Sequence, residues 1–505
     1  TRARRRAATG PGDPAAASLV VMSATLDGGR IARHLGGEHV EAEGRRFPVE
    51  IRHLEGTEIL PHAGELPTRV RAALAVARDA PGDVLVFLPG KAEIEACADA
   101  LRHESVSVVL LHGGLDLGEQ RRAFSRAPRR KVILATNVAE TSLTIPGVGV
   151  VIDAGLVRQT RYHDGRGFLA LVPIALDSAA QRAGRAGRTA PGVAIRLWSA
   201  AAKLEPVTLP EIHRESLVPL VIAAAAWGLR PEDLPLLDPP RAAALSAARA
   251  DLDAWGALSG VGALSGVGQE LFSLPLDPAH ARLVVTARAE GCVADAIDLV
   301  AVLSVGRPLF TRSPPSESAG DDLRASGCDL TATIRALREA RAGEDGVSAF
   351  VLGEARRARS RLRRREGLPD VAPAPGPIER DALVRAAMAA DPRCVHVARP
   401  RGRDVFFSNG GTEIELAQES AVARVRAVEA LVVLDTRAFG RGPSQRVLVT
   451  CGAAIPLGAI ARAGLGRERV GAVSLEGKRV VTTIERVYAK RVVETREAPA
   501  TGELA

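Results

Sequence analysis

The chain has 505 residues, 46% of them hydrophobic and only 3% aromatic, enough for roughly three or four domains whose cores are built from Leu, Val, Ile and Ala. Its 67 Lys and Arg against 59 Asp and Glu leave a net charge of +8, which suits a polyanionic partner but fixes neither partner nor fold. No apolar run reaches the ~18–20 residues of a membrane span. Cys97, Cys292, Cys328, Cys394 and Cys451 are too scattered for a zinc site or a disulfide framework and read as free thiols of a reducing cytoplasm.

Along the first 200 residues, short Val/Ile-rich runs alternate with helical patterns. SLVVMSAT (18–25), VEIRHL (49–54), DVLVFLP (83–89), SVSVVLL (105–111), KVILAT (131–136), GVVID (149–153) and VAIRLW (193–198) are nearly continuous in apolar residues, the pattern of parallel strands buried on both faces. Between them, 66–80, 91–104 and 117–127 carry apolar residues at helical spacing. This alternation predicts an α/β parallel sheet wound by helices.

Beyond residue 200 the periodicity turns helical over 209–229, 239–258 and 279–304, then over 330–341 and the arginine-rich 354–366. GALSGV occurs twice, at 256–261 and 262–267, and reads as a duplication in a loop. RPLFTRSPPSESAG (307–320) reads as a polar loop and 368–377 as a Pro-rich linker. Strand-like runs return from 394, so a small β-containing module is expected to follow.

QRAGRAGR (181–188) places Arg182, Arg185 and Arg188 three residues apart. As scaffold this is a poor helix, since each glycine costs about 1 kcal/mol relative to Ala. As chemistry it suits arginine fingers, whose guanidinium forks reach a polyphosphate and stabilise charge on a transferring phosphoryl group. After the 131–136 strand, Thr136, Asn137, Thr141, Ser142 and Thr144 cluster hydroxyl and amide groups where open α/β sheets bind ligands, suited to phosphate and sugar oxygens. The basic stretch 354–366, with Arg356, Arg357, Arg359, Arg361, Arg363, Arg364 and Arg365, suits either phosphate tracking or a solvated linker helix.

Taken in order, SAT, FLPGKAEIE, LHGGL, ATNVAETSLTIPGV, IDAGL and QRAGRAGR resemble superfamily-two helicases of the DEAH/RHA group. LPEIHR, LDPP, LPLDPAHARL and GCDLTATIRALRE resemble the bacterial HrpB-type ATP-dependent helicases within it, over about residues 15–490. The resemblance implies that Gln181, Arg185 and Arg188 face the ATP γ-phosphate as the catalytic set. It places Thr144 near the ribose, Phe124 against the adenine, and Arg182 with this nucleotide-binding group in a structural or salt-bridging role. Pro146 stands where the family often has an acidic residue. Thr136, Asn137 and Thr141 are implied nucleic-acid contacts, and Ser23 and Thr25 the coupling between two helicase lobes.

The implied architecture is a RecA-like helicase C-terminal lobe over 15–200 behind a residual or disordered tail (1–14). A winged-helix-like segment (201–265), a helical bundle (266–366), the linker (367–378) and an HrpB-type β-containing region (379–505), read as OB-like, follow. The implied cofactor is ATP with Mg2+. The implied partners are single-stranded RNA, with DNA left open, and a first RecA-like lobe; no membrane partner is expected. GxxxxGK[ST] and the DExH box, which cradle phosphate and hold magnesium on the first lobe, do not occur in this sequence. The expectation is therefore a fragment that does not turn over ATP alone, with no metal site of its own. The alternatives are a non-catalytic nucleic-acid-binding remnant and the second lobe of a split helicase.

Overall fold

The computed structural model describes residues 20–22, 27–41, 47–54, 59–113, 115, 117–140, 144–163, 166–260, 262–310, 327–341, 346–370, 377–402, 404–411, 413–439, 446–476 and 479–499. The expectations for 1–14, Ser23, Thr25, Thr141, Ser142, most of 307–320 and the middle of 367–378 lie outside these residues. Two compact units form. The first takes the described parts of Thr1–Leu111, Arg121–Gly155 and Ile174–Thr208; the second takes His112–Gln120, Leu156–Pro173 and Leu209–Ala505. Two short segments within 15–200 thus belong with the second unit.

The strands in chain order begin β1 (Val49–His53), β2 (Asp83–Phe87), β3 (Ser107–Leu111), β4 (Lys131–Ala135), β5 (Val148–Asp153), β6 (Leu156–His163), β7 (Arg166–Pro173) and β8 (Gly192–Arg196). Six of them form one sheet in the order β1-β8-β5-β2-β4-β3, every pair parallel. Successive residues such as Val84, Leu85 and Val86, or Val150, Val151 and Ile152, are all buried. Both faces are therefore covered, as the continuous apolar runs predict. Helices Leu66–Val76 and Lys91–Ala100 follow the predicted periods; the first enters on Pro67, whose missing N–H costs nothing in the first turn.

SLVVMSAT departs from its prediction. Residues 20–22 are in no strand, and Val20 and Met22 are 74% and 88% exposed. Among the described residues this run pairs with neither edge strand of the sheet, β1 or β3. The antiparallel hairpin β6–β7 is absent from the sequence expectations. Its signal is the Asp164-Gly165 pair between two strand-like runs.

In the second unit, helices Val218–Ala226, Ala242–Ala254 and Gly266–Ser273 precede a bundle of Pro278–Ala289, Val293–Leu303, Asp329–Glu339, Ala349–Arg365 and Arg380–Ala390. The single helix expected over 279–304 is two. Gly291 takes φ 71, and the Cys292 amide returns to the Ala287 carbonyl at 3.0 Å. That left-handed cap ends the first helix where a residue with Cβ is strained. The GALSGV repeat also departs from a plain loop. The two copies pair at Leu258 and Leu264, and Ser265 of the second copy caps helix 266–273 by accepting from the Gly268 amide at 3.1 Å.

The bundle carries a buried charge network. Asp298, 0% exposed, accepts from Arg338 Nε at 2.7 Å and from both Nε and Nη2 of Arg363, at 2.8 and 2.7 Å. Asp295 takes the other arm of Arg338 at 2.5 Å. Two of the predicted phosphate-tracking arginines are therefore structural. Arg363 is buried in this network, and Arg356 donates to the Leu337 and Ala340 carbonyls, at 3.1 and 2.8 Å.

Five strands then close a barrel: β9 (Val395–Arg401), β10 (Asp404–Ser408), β11 (Glu413–Leu416), β12 (Ala430–Phe439) and β13 (Arg446–Ile455), in the order β10-β11-β13-β12-β9. Asp329, at the start of helix 329–339, ties the bundle to it, accepting from Ser420 Oγ, the Ala421 amide and the Gly452 amide at 2.7, 2.6 and 3.0 Å. A three-stranded antiparallel sheet, β14 (Arg467–Glu476), β15 (Arg479–Tyr488) and β16 (Arg491–Pro499), follows.

Candidate nucleotide and nucleic-acid site

The arginine motif begins on helix Leu176–Ala183, which follows the β6–β7 hairpin and leads back to β8. Arg182 is 1% exposed. Its Nε donates to Glu140 Oε2 and its Nη1 to Asp153 Oδ1, both at 2.9 Å. The guanidinium carbon lies 5.0 Å from the centroid of the Phe87 ring. Ser178, one helical turn earlier, donates to Glu140 Oε1 at 2.7 Å, and the Gly155 amide donates to Asp153 Oδ1 at 2.9 Å. Burial alone would lower the Arg182 pKa, but the Asp153 and Glu140 carboxylates outweigh it and raise it, so the side chain stays cationic. The clamp joins the carboxyl ends of β2 and β5, the loop after β4 and helix 176–183. Arg182's place among the nucleotide contacts is thus corrected: no face of its guanidinium is open, and its role is the salt bridge.

With Arg182 fixed, the next two arginines fall beside the loop after β4. Arg185 is 8% exposed and donates to the Glu140 carbonyl. Burial, then the neighbouring Arg188, push its pKa down to about 10, still protonated at neutral pH. Arg188 is exposed and donates to Thr144 Oγ1. Gln181, half-buried, precedes Arg182 on the same helix.

The two glycines differ in purpose. A Cβ on Gly187 would sit 2.6 Å from the Phe47 carbonyl oxygen and 2.6 Å from Val49 Cγ2, whereas one on Gly184 would meet nothing closer than 3.4 Å. Gly187 lets the arginine turn lie against the start of β1, where the Phe47 amide donates to the Gly187 carbonyl at 3.1 Å.

At the carboxyl end of β4, Thr136 opens the 3-10 turn Asn137–Ala139 without spending its hydroxyl on a cap. Thr136 is half-buried and Asn137 exposed. Phe124 ends the 3-10 turn Arg122–Phe124 and is 36% exposed. Among the described residues no hydrogen bond or ring contact joins it to the arginines. The structure therefore brings together Gln181, Arg182, Arg185, Arg188 and Thr144 but does not link Phe124 to them. Glu140, Asp153 and Ser178 are absent from the sequence expectations. Glu140 is the acidic residue of TNVAETSLT, and Asp153 is the polar end of the apolar strand VVID. Both were legible as charges out of place, but their shared partner was not. Among the described residues no three His, Cys, Asp or Glu are grouped to hold a metal ion.

A parallel sheet with this arginine turn is the helicase C-terminal lobe. Residues 67–190 match the helicase conserved C-terminal domain, and 277–367 the ratchet-like helicase-associated domain HA2. The chain is 34% identical over 321 residues to the ATP-dependent RNA helicase DHX33 of Drosophila melanogaster, covering 60% of this chain and 46% of that one. It is also 34% identical over 306 residues to the ATP-dependent RNA helicase HrpA of Escherichia coli, covering 57% of this chain and 24% of that one. Two solved E. coli structures, described as the DExH-box NTPase HrpB and the DEAH/RHA helicase HrpB, superpose with TM-scores of 0.70 and 0.73 at 27% and 26% identity. Each superposition covers 95% of this chain, and 56% and 57% of theirs. The chain therefore carries the helicase conserved C-terminal domain and the HA2 domain, and the relatives and solved structures it resembles are DEAH/RHA-type helicases. It spans less than half the length of these two curated relatives. No helix among its described residues is long and apolar enough to cross a membrane.

Proposed function

We propose that this chain supplies the second-lobe half of an ATP-dependent motor that moves on single-stranded RNA. The observation that carries the reading is the division of labour within QRAGRAGR. Arg182 is locked in the Glu140–Asp153 clamp, and that rigid anchor sets where Arg185 and Arg188 stand. Two guanidinium groups held in place, one of them exposed, suit stabilisation of charge on a γ-phosphate. Gln181 completes that set, and Thr144, which accepts from Arg188, is read as the ribose contact. Phe124 is read as the adenine platform.

Thr136 and Asn137 are read as contacts to the nucleic-acid backbone, because neither makes a side-chain hydrogen bond among the described residues. Such contacts do not by themselves separate RNA from DNA. Thr141, Ser23 and Thr25 keep their implied roles as proposals. Magnesium would be held by carboxylates of a first lobe carrying GxxxxGK[ST] and DExH. The domain layout is proposed as a helicase lobe, a winged-helix-like segment, a ratchet-like bundle, and an OB-like module built on the closed five-stranded barrel.

The test is RNA-stimulated ATP hydrolysis by the chain alone and together with a first-lobe polypeptide. The chain alone is expected to give no turnover and the pair to turn over. Arg185→Ala and Arg188→Ala should each lower the pair's rate by about 10^3-fold or more. A pair that keeps full turnover in both variants, or a chain that hydrolyses ATP alone, would overturn this reading. RNA binding that never responds to nucleotide would favour a non-catalytic role.

A further inference from the structure

Strand β4 opens on a charge where its pattern calls for an apolar residue. Lys131 heads the run KVILA and is 4% exposed, next to Val132, Ile133, Leu134 and Ala135, all 0% exposed. Lysine is among the residues least often buried unless it is paired. An ammonium has three N–H donors and no acceptor. Here Nζ donates to the Ala123 carbonyl at 3.0 Å and the Ser125 carbonyl at 2.9 Å, and it faces Asp83 Oδ2 at 3.4 Å. Asp83, at the start of β2, also accepts from the Lys131 amide at 2.9 Å, so the lysine is held at both ends.

The two carbonyls bracket Phe124. That residue closes the 3-10 turn Arg122–Phe124 and is 36% exposed, while Ala123 beside it is 0% exposed. The far end of the same loop is held in the same way. Arg130 Nε donates to the Gly82 carbonyl at 2.7 Å, Nη1 to those of Ala77 and Arg78 at 2.9 and 3.1 Å, and Nη2 to that of Ala80 at 2.8 Å. Two adjacent cations thus spend their donors on backbone carbonyls. Core packing alone needs only an apolar side chain at 131. A buried ammonium offsets its desolvation only through the bonds it makes, and those bonds fix the backbone that carries Phe124.

We propose that Lys131 is a positioning residue for the nucleotide base: its grip on Ala123 and Ser125 holds the Phe124 ring in its stacking pose before nucleotide arrives. This rests on the reading of Phe124 as the adenine platform. A ring fixed in advance loses little freedom on binding, so the base keeps the stacking energy.

The test pairs the chain with a first-lobe polypeptide. It reads KM for ATP, kcat, and the inhibition constant of ribose triphosphate, which lacks the base. Lys131→Met keeps the apolar stem, and the Asp83 side chain, 21% exposed, is open enough to meet water. KM for ATP should rise about 2- to 10-fold, with kcat within about 2-fold. Phe124→Leu should raise that KM roughly 5- to 100-fold, and Lys131→Met added to it should raise it no further. Neither variant should change the inhibition constant. In the chain alone, Lys131→Met should quicken amide exchange over 122–126 and leave 131–135 slow. Where 131–135 quickens as well, Lys131→Gln, which keeps one donor, is read by the same measures. A KM for ATP that rises in Phe124→Leu but not on loss of Lys131 overturns the positioning role and leaves the platform standing. Inhibition by ribose triphosphate that weakens in step with ATP, or exchange over 122–126 that stays slow, overturns it too. A KM for ATP unchanged by Phe124→Leu overturns the platform and the positioning role together.

Discussion

Replacing Arg182 by Met tests the anchor of the arginine motif. The substitution replaces the guanidinium over Phe87 with an apolar chain end and strands two carboxylates. Glu140 keeps Ser178 and its side chain is 14% exposed, so it finds water; Asp153, whose side chain is 4% exposed, does not. An unpaired buried charge costs about 3–5 kcal/mol. Asp153 escapes by taking up a proton, which at pH 7 costs about 4 kcal/mol for a carboxyl of ordinary pKa near 3.9. The loss is therefore capped at about 4 kcal/mol at pH 7.

Burial already raises the Asp153 pKa in the intact protein, against the pull of Arg182, and removing Arg182 raises it further. A folded-state pKa above the unfolded value means stability retained at low pH and lost as pH rises through the folded pKa. The Met variant should thus recover on acidification, with a deficit near 1.5 kcal/mol at pH 5. Urea denaturation followed by tryptophan fluorescence reads this locally. Trp198 is 2% exposed in the first unit, and Trp227 and Trp255, the other two tryptophans, are replaced by Phe. A deficit below about 1 kcal/mol at pH 7, or one that does not shrink toward pH 5, would refute the account of the clamp.

Gly187→Ala should destabilise the first unit by about 1–3 kcal/mol, because its Cβ meets backbone at 2.6 Å. Gly184→Ala should be neutral or stabilise by up to ~1 kcal/mol, so the same fluorescence assay separates the two glycines of one motif. In the second unit, Asp298→Ala leaves the buried Arg363 without its carboxylate and Arg338 with Asp295 alone and should cost about 3 kcal/mol or more. Arg364→Ala on the same helix should stay within ~0.5 kcal/mol; amide exchange over 293–303 and 349–365 compares them. All five cysteines are buried and free. Burial, then a nearby carboxylate, push the Cys97 pKa up to about 12 and the Cys292 pKa up to about 11. Thiol titration at pH 8 should therefore be slow in the native chain and rapid only in urea.

The sequence by itself determined the parallel sheet, because its strands are buried on both faces and that burial leaves an uninterrupted apolar run in each. It carried the likeness to DEAH/RHA helicases too, because QRAGRAGR and TNVAETSLT are short, contiguous and tied to one chemistry. It could not show that Arg182 differs from Arg185 and Arg188, since the three share one residue type and one spacing. Only the meeting of helix 176–183 with Glu140 and Asp153, 42 and 29 positions away, locks the first, while Arg185 lies buried against the Glu140 carbonyl and Arg188 stays exposed. The same holds on helix 349–365, where seven similar arginines were legible as charge alone. Asp298, 65 residues distant from Arg363, makes that arginine structural, and the fixed rotation of the helix turns Arg357, Arg361 and Arg364 outward. Local pattern is written in neighbouring residues. The partner that neutralises a charge, or its absence, is decided by packing between segments far apart in the chain, because burying a cation is tolerable only where the fold delivers a carboxylate to it.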